Sequence, residues 1–483
     1  MDTLMSRALD AAKLGGAQYA DIRVVENRTE SIQVKNGVAE ALNFSESIGF
    51  GVRVLINGAW GFSSSRDLAA EELDRVTQHA LEIARASGLV KGEMVDLGPP
   101  VTSRGTYQTA VEIDPFSIPL EERLDVLLTA DAEMARVEGV RVRQGNLVII
   151  RERKWFASTE GALTEQTIIE TGGGIVATAV GESEVQARSY PNSFGRQQVT
   201  AGWETVLAWD LPGNGERIAE EAVALLTADP CPVDTTTTVI LAGDQMALQV
   251  HESCGHPIEL DRVLGSEAAY AGTSFLTPEK LDGFRYGSEL VNITADSVRS
   301  LGLGTFGWDD EGVKAQSTPI VKDGNFVGYL MSRETASRLG KVSNGCMRAS
   351  SWNRIPIIRM TNVSLEPGEW DLEDLIADTD EGIYMATNRS WSIDDKRYNF
   401  QFGTEMGYEI KNGKLDRMLR NCTYTGITPE FWNSCDAICN HKHWTMWGTP
   451  NCGKGQPSQI AHTGHGAAPA RFRNIRVGVY KGD

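Results

Sequence analysis

The stretch Asp229-Pro230-Cys231-Pro232 cuts the chain in two. Two prolines this close fix φ, remove two amide donors and stop the helix expected over 215–226, so no regular element can run through them. Immediately beyond it, Thr235 to Ala242 is β-branched and apolar, the composition of a buried strand. At 483 residues the chain exceeds what one ordinary core organises, and the break assigns residues 1–228 to one domain and 229–483 to another.

The first part reads as α+β. Leu4, Ala8, Leu9 and Ala12 recur at helical spacing before Gly15-Gly16. Alternating runs then flank Asn36-Gly37 and Asn57-Gly58, the dipeptide that most favours a two-residue hairpin turn. Helical periodicity returns over 67–86 and 120–137, separated by a connection rich in Pro and Gly at 88–117. Val140–Arg143, Leu147–Arg151, Leu163–Ile169 and Gly174–Val180 are read as a meander with turns at 144–146 and 160–161. Short alternating runs after the break, at 325–331, 355–363, 407–410 and 475–480, predict a mostly β, barrel-like second domain.

With 41% hydrophobic and 23% charged residues there is material for packed cores. A net charge of -19 argues against a nucleic-acid binder, which needs a basic face. No apolar run is long enough to cross a bilayer, and the N-terminus lacks the layout of a signal peptide. Seven scattered cysteines suit reduced thiols better than a disulfide framework, so a cytoplasmic location is expected.

The chemistry concentrates in His251-Glu252-Ser253-Cys254-Gly255-His256, which gathers two of the seven histidines around a carboxylate. Imidazole is the commonest metal ligand, and a carboxylate beside it can take a proton from an activated water. The spacing is HExxxH. On a regular helix i and i+5 lie about 140° apart, too far for a shared ion. The helix must therefore widen by a π-type turn or end between the two histidines. Gly255 is a weak helix residue and Pro257 disfavours the α region at His256, so the expectation is that the helix ends near Gly255 and its unwinding turn swings His256 back. A catalytic zinc takes about three protein ligands. Candidates for the third are Cys452, the pair His462 and His465, and the group Cys435, Cys439, His441 and His443, the last also a candidate for a second, structural metal site.

HExxxH, Gly307-Trp308-Asp309-Asp310-Glu311-Gly312, Asn344-Gly345, Ile355-Pro356-Ile357-Ile358-Arg359-Met360-Thr361-Asn362 and Cys452-Gly453-Lys454-Gly455-Gln456 occur in an order that resembles the TldD branch of the TldD/PmbA (TldD/TldE) metallopeptidases. The resemblance spans nearly the whole chain. It implies Zn2+ held by His251, His256 and Cys452, with Glu252 as general base. It further implies a dimer, either a homodimer or a heterodimer with a PmbA/TldE-like chain, enclosing a cavity that admits peptides or unfolded protein segments. Such substrates can add as a strand to a sheet edge.

For other residues plainer roles compete with functional ones. Cys254 is read as packing rather than a nucleophile, since no base beyond the expected ligands lies near it in sequence. Asp309-Asp310-Glu311 and Asp394-Asp395 could orient the ligating histidines or sit in solvated turns. For Arg348, Arg359, Trp432, Trp444 and Trp447 core pairing and filling is the default over substrate contact. The reading is a zinc-dependent peptidase; its rivals are a zinc amidohydrolase for a non-peptide amide and a non-catalytic partner or scaffold subunit.

Overall fold

Asn36 and Asn57 take left-handed backbone (φ 49° at each), as do Gly37 and Gly58, and each pair turns a hairpin in a computed structural model that describes residues 1–90 and 92–478. After helix α1 (Asp2–Leu14), strands β1 (Tyr19–Lys35), β2 (Val38–Ile56) and β3 (Ala59–Ser65) succeed one another around these turns. Helix α2 (Ala70–Ser87), strand β4 (Arg104–Gln108) and helix α3 (Leu120–Ala135) lead into β5 (Val140–Ser158), β6 (Leu163–Val180), β7 (Val185–Tyr190) and β8 (Gln197–Val199). The sheet order is β3-β2-β1-β5-β6-β4, with β7 and β8 also on β6. Leu73, Val76 and Ala80 of α2 pack with Met5 and Ala8 of α1 on one part of this sheet. Leu127 and Ala130 of α3 pack with Ile218 and Ala222 on another.

Two expectations fail here. The turn at 144–146 does not exist: Gly145 pairs with Val34 on one side and Ile175 on the other, inside one continuous strand of 19 residues. Cross-strand pairing on both edges overrides the local preference of Gln144-Gly145-Asn146 for a turn. The connection at 88–117 is also more than a surface tether, since β4 joins the sheet parallel to β6.

Helices α4 (Glu204–Trp209) and α5 (Leu211–Thr227) close the first half, and the proline break becomes β9 (Asp229–Pro230). Beyond it lie β10 (Thr235–Leu241), α6 (Gly243–Val250), and a four-stranded sheet of β11 (Ile293–Asp296), β12 (Ser317–Lys322), β13 (Asn325–Phe326) and β16 (Val363–Leu365). A small pair, β14 (Met347–Arg348) and β15 (Ile357–Ile358), precedes β16. Then come β17 (Glu381–Ile393), β18 (Asn399–Lys411), β19 (Lys414–Arg420), β20 (Thr423–Ile427), β21 (Cys435–Ile438), β22 (Thr445–Lys454), β23 (Gln459–Ala467) and β24 (Ala470–Val477).

The predicted barrel is present. β17, β10, β24, β20 and β18 pair in that order, and β18 pairs back to β17, closing a five-stranded ring. Closure removes the free edges that a short twisted sheet would otherwise expose. The run expected at 475–480 forms the end of β24 as far as Val477; Val479 and Tyr480 lie outside the described residues. Among the described residues no helix is long and apolar enough to cross a membrane.

Buried ion pairs join the two halves. Asp310 faces Arg23 (3.6 Å) and Lys154 (2.9 Å), Glu311 faces Arg53 (3.4 Å), and Glu405 faces Arg188 (2.9 Å).

Candidate metal centre

Helix α6 starts where β10 leaves the barrel. Gln245 donates to the Tyr424 hydroxyl, which donates in turn to Gln249, so the helix is fixed against the barrel wall. The helical segment ends at Gly255, as expected, but not by unwinding. Residues His251–Gly255 form a π-turn, in which the His256 amide donates to the His251 carbonyl (3.2 Å), and His256 keeps helical backbone (φ -67°, ψ -44°). The expected unwinding is thus replaced by widening. The extra residue is absorbed by an i→i+5 hydrogen bond that leaves the amide satisfied, and Pro257 falls where the turn stops, so its bias against α at His256 is overridden. The two imidazoles meet edge-to-face with centroids 4.9 Å apart. Gly255 is required by packing: a Cβ there would lie 2.2 Å from the sulfur of Met360.

Cys452 arrives from β22, just past a register shift in its pairing with β23. Its Sγ stands 3.7 Å from His256 Nε2, and ligand atoms of His251, His256 and Cys452 all lie within 4.8 Å of one another. All three residues are 4–5% exposed. Arg359, from the motif after β15, donates to the Cys452 carbonyl (2.6 Å) and the Gln459 carbonyl, tying both strands of the hairpin beneath the thiol.

Hydrogen bonds fix which imidazole nitrogens turn inward. His465 Nδ1 sits 2.8 Å from the Val363 carbonyl, which can only accept, so that nitrogen carries the proton and His465 Nε2 is an acceptor. His251 Nδ1, 2.7 Å away, donates to it. On the other ring, His256 Nδ1 donates to Glu259 (3.1 Å), whose carboxylate also faces Lys454 (3.4 Å). Both rings thereby turn Nε2 inward on the side of the thiol, the arrangement in which outer hydrogen bonds orient metal-ligating histidines.

Electrostatics set the two rings apart: burial lowers His256, but Cys452 and Glu259 outweigh it and raise that ring above its ordinary value. Burial pushes His251 below its ordinary pKa despite Glu252 and Glu259, keeping it neutral. Burial opposes ionisation of Cys452, but His256 and Arg359 outweigh it and hold the thiol below its usual range. Burial likewise opposes the Glu252 carboxylate, yet His256 and Arg397 hold it below its ordinary range, and Arg397 Nη1 donates to Oε2 at 3.0 Å. Two imidazoles and a thiolate form a good donor set for zinc, with a fourth position left for water or substrate. A cleft of about 300 Å³ opens onto His251, Glu252, His256 and Cys452.

Of the sequence candidates, Cys452 alone joins the histidine pair. His465 supports His251 from behind, and His462 instead meets Glu170 of the first half of the chain at 2.6 Å. Cys435, Cys439 and His441 belong to neither metal-type cluster found among the described residues, while His443 belongs to the second, a surface group with Asp371 (3.1 Å) and Glu373. Asp309, Asp310 and Glu311 orient no ligating histidine. Asp309 accepts from the amides of Glu311, Val313 and Met347, and its neighbours bind cations from the first half of the chain. Asp394 caps a turn at Tyr398 and Asn399. Arg348 donates to three backbone carbonyls, and Trp432 is core. The buried Cys254 thiol is pushed up to about 12, which leaves it inert.

Sequence reasoning passed over Glu259, Lys454 and Arg397. Only the carboxylate three residues after His256 carried a signal, since i and i+3 share a helix face.

The chain belongs to the PmbA/TldD family of metallopeptidases. Family models match for PmbA/TldA metallopeptidase domain 1 (residues 20–84), the central domain (113–228) and the C-terminal domain (234–478). A relative named metalloprotease in Methanothermobacter thermautotrophicus is 30% identical over 467 residues, covering 95% of each chain. One named zinc metalloprotease TldD homolog in Saccharolobus solfataricus is 22% identical, covering 99% of this chain and 100% of that one. The solved structure of TldE from Thermococcus kodakarensis shares the fold with a TM-score of 0.75 at 15% identity, covering 99% of this chain and 100% of that one.

Proposed function

We propose that the protein is a zinc peptidase that hydrolyses peptides or unfolded protein segments, with His251, His256 and Cys452 as the metal ligands and Glu252 as general base. The observation that carries this reading is the convergence of two inward-turned Nε2 atoms and a lowered thiol beside an ionised carboxylate in one cleft. When bound there, zinc supplies Lewis-acid polarisation of the scissile carbonyl and acidifies the attacking water. Glu252 takes the proton of that water and later delivers it to the leaving amine. Arg397 holds the carboxylate in the cleft and keeps it ionised until that proton arrives. Glu259 and His465 keep both imidazoles in the ligating tautomer.

A cytoplasmic setting fits this centre, because all seven cysteines are free thiols and Cys452 must stay reduced to serve as a ligand. The working unit is a dimer, a homodimer or a heterodimer with a TldE-like chain. Its mass in solution by light scattering tests that point.

The deciding experiment measures metal content and cleavage of a peptide panel for wild type, Glu252→Gln and Cys452→Ser. Expected are bound zinc without cleavage in the first variant and loss of zinc in the second. Cleavage confined to non-peptide amides would move the protein to the amidohydrolase reading. Unchanged activity in Glu252→Gln with metal still bound would make this chain a scaffold.

A further inference from the structure

Two large aromatic side chains stand uncovered at the candidate centre. Phe194 is 41% exposed and Trp391 is 46% exposed, and both line the cleft that holds His251, Glu252, His256 and Cys452. They come from different domains: Phe194 from the loop between β7 and β8, Trp391 from the outer half of β17. An exposed aromatic on an open surface needs no explanation, but a pair beside reacting groups is how binding clefts place apolar contact area.

Phe194 is also held against its backbone preference. Its φ is 58°, in the left-handed region that a bulky residue rarely adopts, and such strain persists only where the surroundings impose it. The surroundings do so here. The next residue, Gly195, presses on Gly174 of β6, where a Cβ would lie 2.4 Å from the Tyr190 carbonyl and 2.7 Å from Gly195. Asn146 donates to the Gly195 carbonyl (2.9 Å), and Asn192 donates to the Gly448 carbonyl at the base of the Cys452 strand. The loop is thus tied to the first half of the chain and to the ligand-bearing hairpin, and the phenyl ring is presented at a fixed place in the cleft. The cleft adjoins a second cavity of about 520 Å³, with Phe194, Arg196 and Pro450 on the boundary, so a chain seated at the centre has room to continue past the ring.

We propose that Phe194 and Trp391 form the side-chain subsite of this cleft, giving the enzyme a preference for peptides with a large apolar or aromatic residue beside the scissile bond. This rests on the peptidase reading and adds a substrate class to it. Both rings act as specificity residues, burying exposed surface against the substrate side chain, Phe194 with the face that Arg196 (5.5 Å from its centroid) does not cover. Neither takes part in proton transfer or metal binding.

The test uses the full-length zinc-loaded protein and peptides identical except for Phe, Leu or Gly beside the cleaved bond. Wild type should favour Phe and Leu over Gly by about tenfold or more in kcat/KM, the scale on which an apolar pocket discriminates side chains. Phe194→Ala and Trp391→Ala should each remove most of that ratio, acting on the Phe and Leu peptides and barely on the Gly peptide. Phe194→Leu and Trp391→Phe should restore part of it.

Binding of the same labelled peptides to Glu252→Gln, measured by fluorescence anisotropy, should show the same ranking without turnover. A flat wild-type ranking, or equal loss on all three peptides in both alanine variants, would overturn the subsite. Failure of the peptidase reading looks different: wild type would cleave none of the three peptides, or Glu252→Gln would cleave them as fast as wild type, whatever the ranking of the peptides it binds.

Discussion

Two of the clusters of buried ionisable groups among the described residues are built on opposite principles. At the domain junction, Asp310 and Glu311 are matched by Arg23, Lys154 and Arg53, Arg53 also grips Asp21 at 2.7 Å, and the Arg333 amide donates to Glu311. Each charge there has a partner of opposite sign, and the pairs tie the first half of the chain to the second. At the metal centre the hydrogen bonds run outward, from His251 to His465 and from His256 to Glu259, and the inward-facing atoms of His251, His256 and Cys452 have only each other. Two ring nitrogens and a sulfur turned toward one another, with the outer ring nitrogens already engaged, make a place fit for a shared metal ion. Burial and charge alone do not separate function from structure here; the direction of the ligand atoms does.

Substitutions put that contrast to the test. The largest effect is expected for Glu252→Gln, with kcat lower by about 10²- to 10⁴-fold and metal content unchanged. Elemental analysis beside the rate measurement checks it, and loss of metal in this variant would mean that Glu252 belongs to the ligand set. Arg53→Met should strand Asp21 and Glu311 without a counter-ion and cost about 3–5 kcal/mol of stability, read from the denaturant midpoint, while zinc stoichiometry stays the same. If that variant lost zinc, the junction would be part of the centre and the distinction would collapse.

His465→Ala removes the acceptor behind His251 and should weaken metal binding by about 10- to 100-fold, measured by competition with a chelator, with little change in the unfolding midpoint of the metal-free protein. The smallest effect concerns His462 and Glu170, a pair that bridges the domains yet is partly wet. Burial lowers the His462 pKa, but Glu170 outweighs it and raises the ring above its ordinary value. Burial raises Glu170, but His462 outweighs it and lowers the carboxyl. The histidine part of the stabilisation is full below the unfolded value of about 6.5 and is lost as pH rises through the folded value. The carboxylate part is full above about 4.3 and is lost as pH falls through its folded value. Stability profiles of wild type and His462→Gln should therefore differ most between about pH 4.3 and 6.5, by no more than about 1 kcal/mol, and converge outside that window.

Much of this architecture was legible in the chain. The hairpins at Asn36-Gly37 and Asn57-Gly58, the helix faces of α1 and α2 and the closed barrel came from local turn chemistry and periodicity. The two histidines and Glu252 share one short motif, so their proximity needed only helix geometry. The features that stayed hidden depended on distant pairing. Gly145 reads as a turn residue until β1 and β6 clasp it from both sides. His465 lies 214 positions from His251 and Arg397 lies 145 from Glu252, and no spacing rule joins such residues. The acidic run at 309–311 was misleading for the same reason, because its cationic partners come from the first half of the chain.

A π-turn is what one additional residue leaves behind when it is lodged in an α-helix. Deleting Ser253 therefore looks like a simple way to regain the four-residue histidine spacing of ordinary zinc proteases. It would not recreate such a site. Everything downstream would be set back by about 100° of rotation and about 1.5 Å of rise. His256 and Glu259 would keep their mutual contact but swing together away from Cys452 and Lys454, and the indole of Trp432 would lose the Ser253 hydroxyl it donates to. The length of this motif is locked to a hairpin about two hundred residues away, so in this chain the loss of a single residue from it breaks the contact at Cys452.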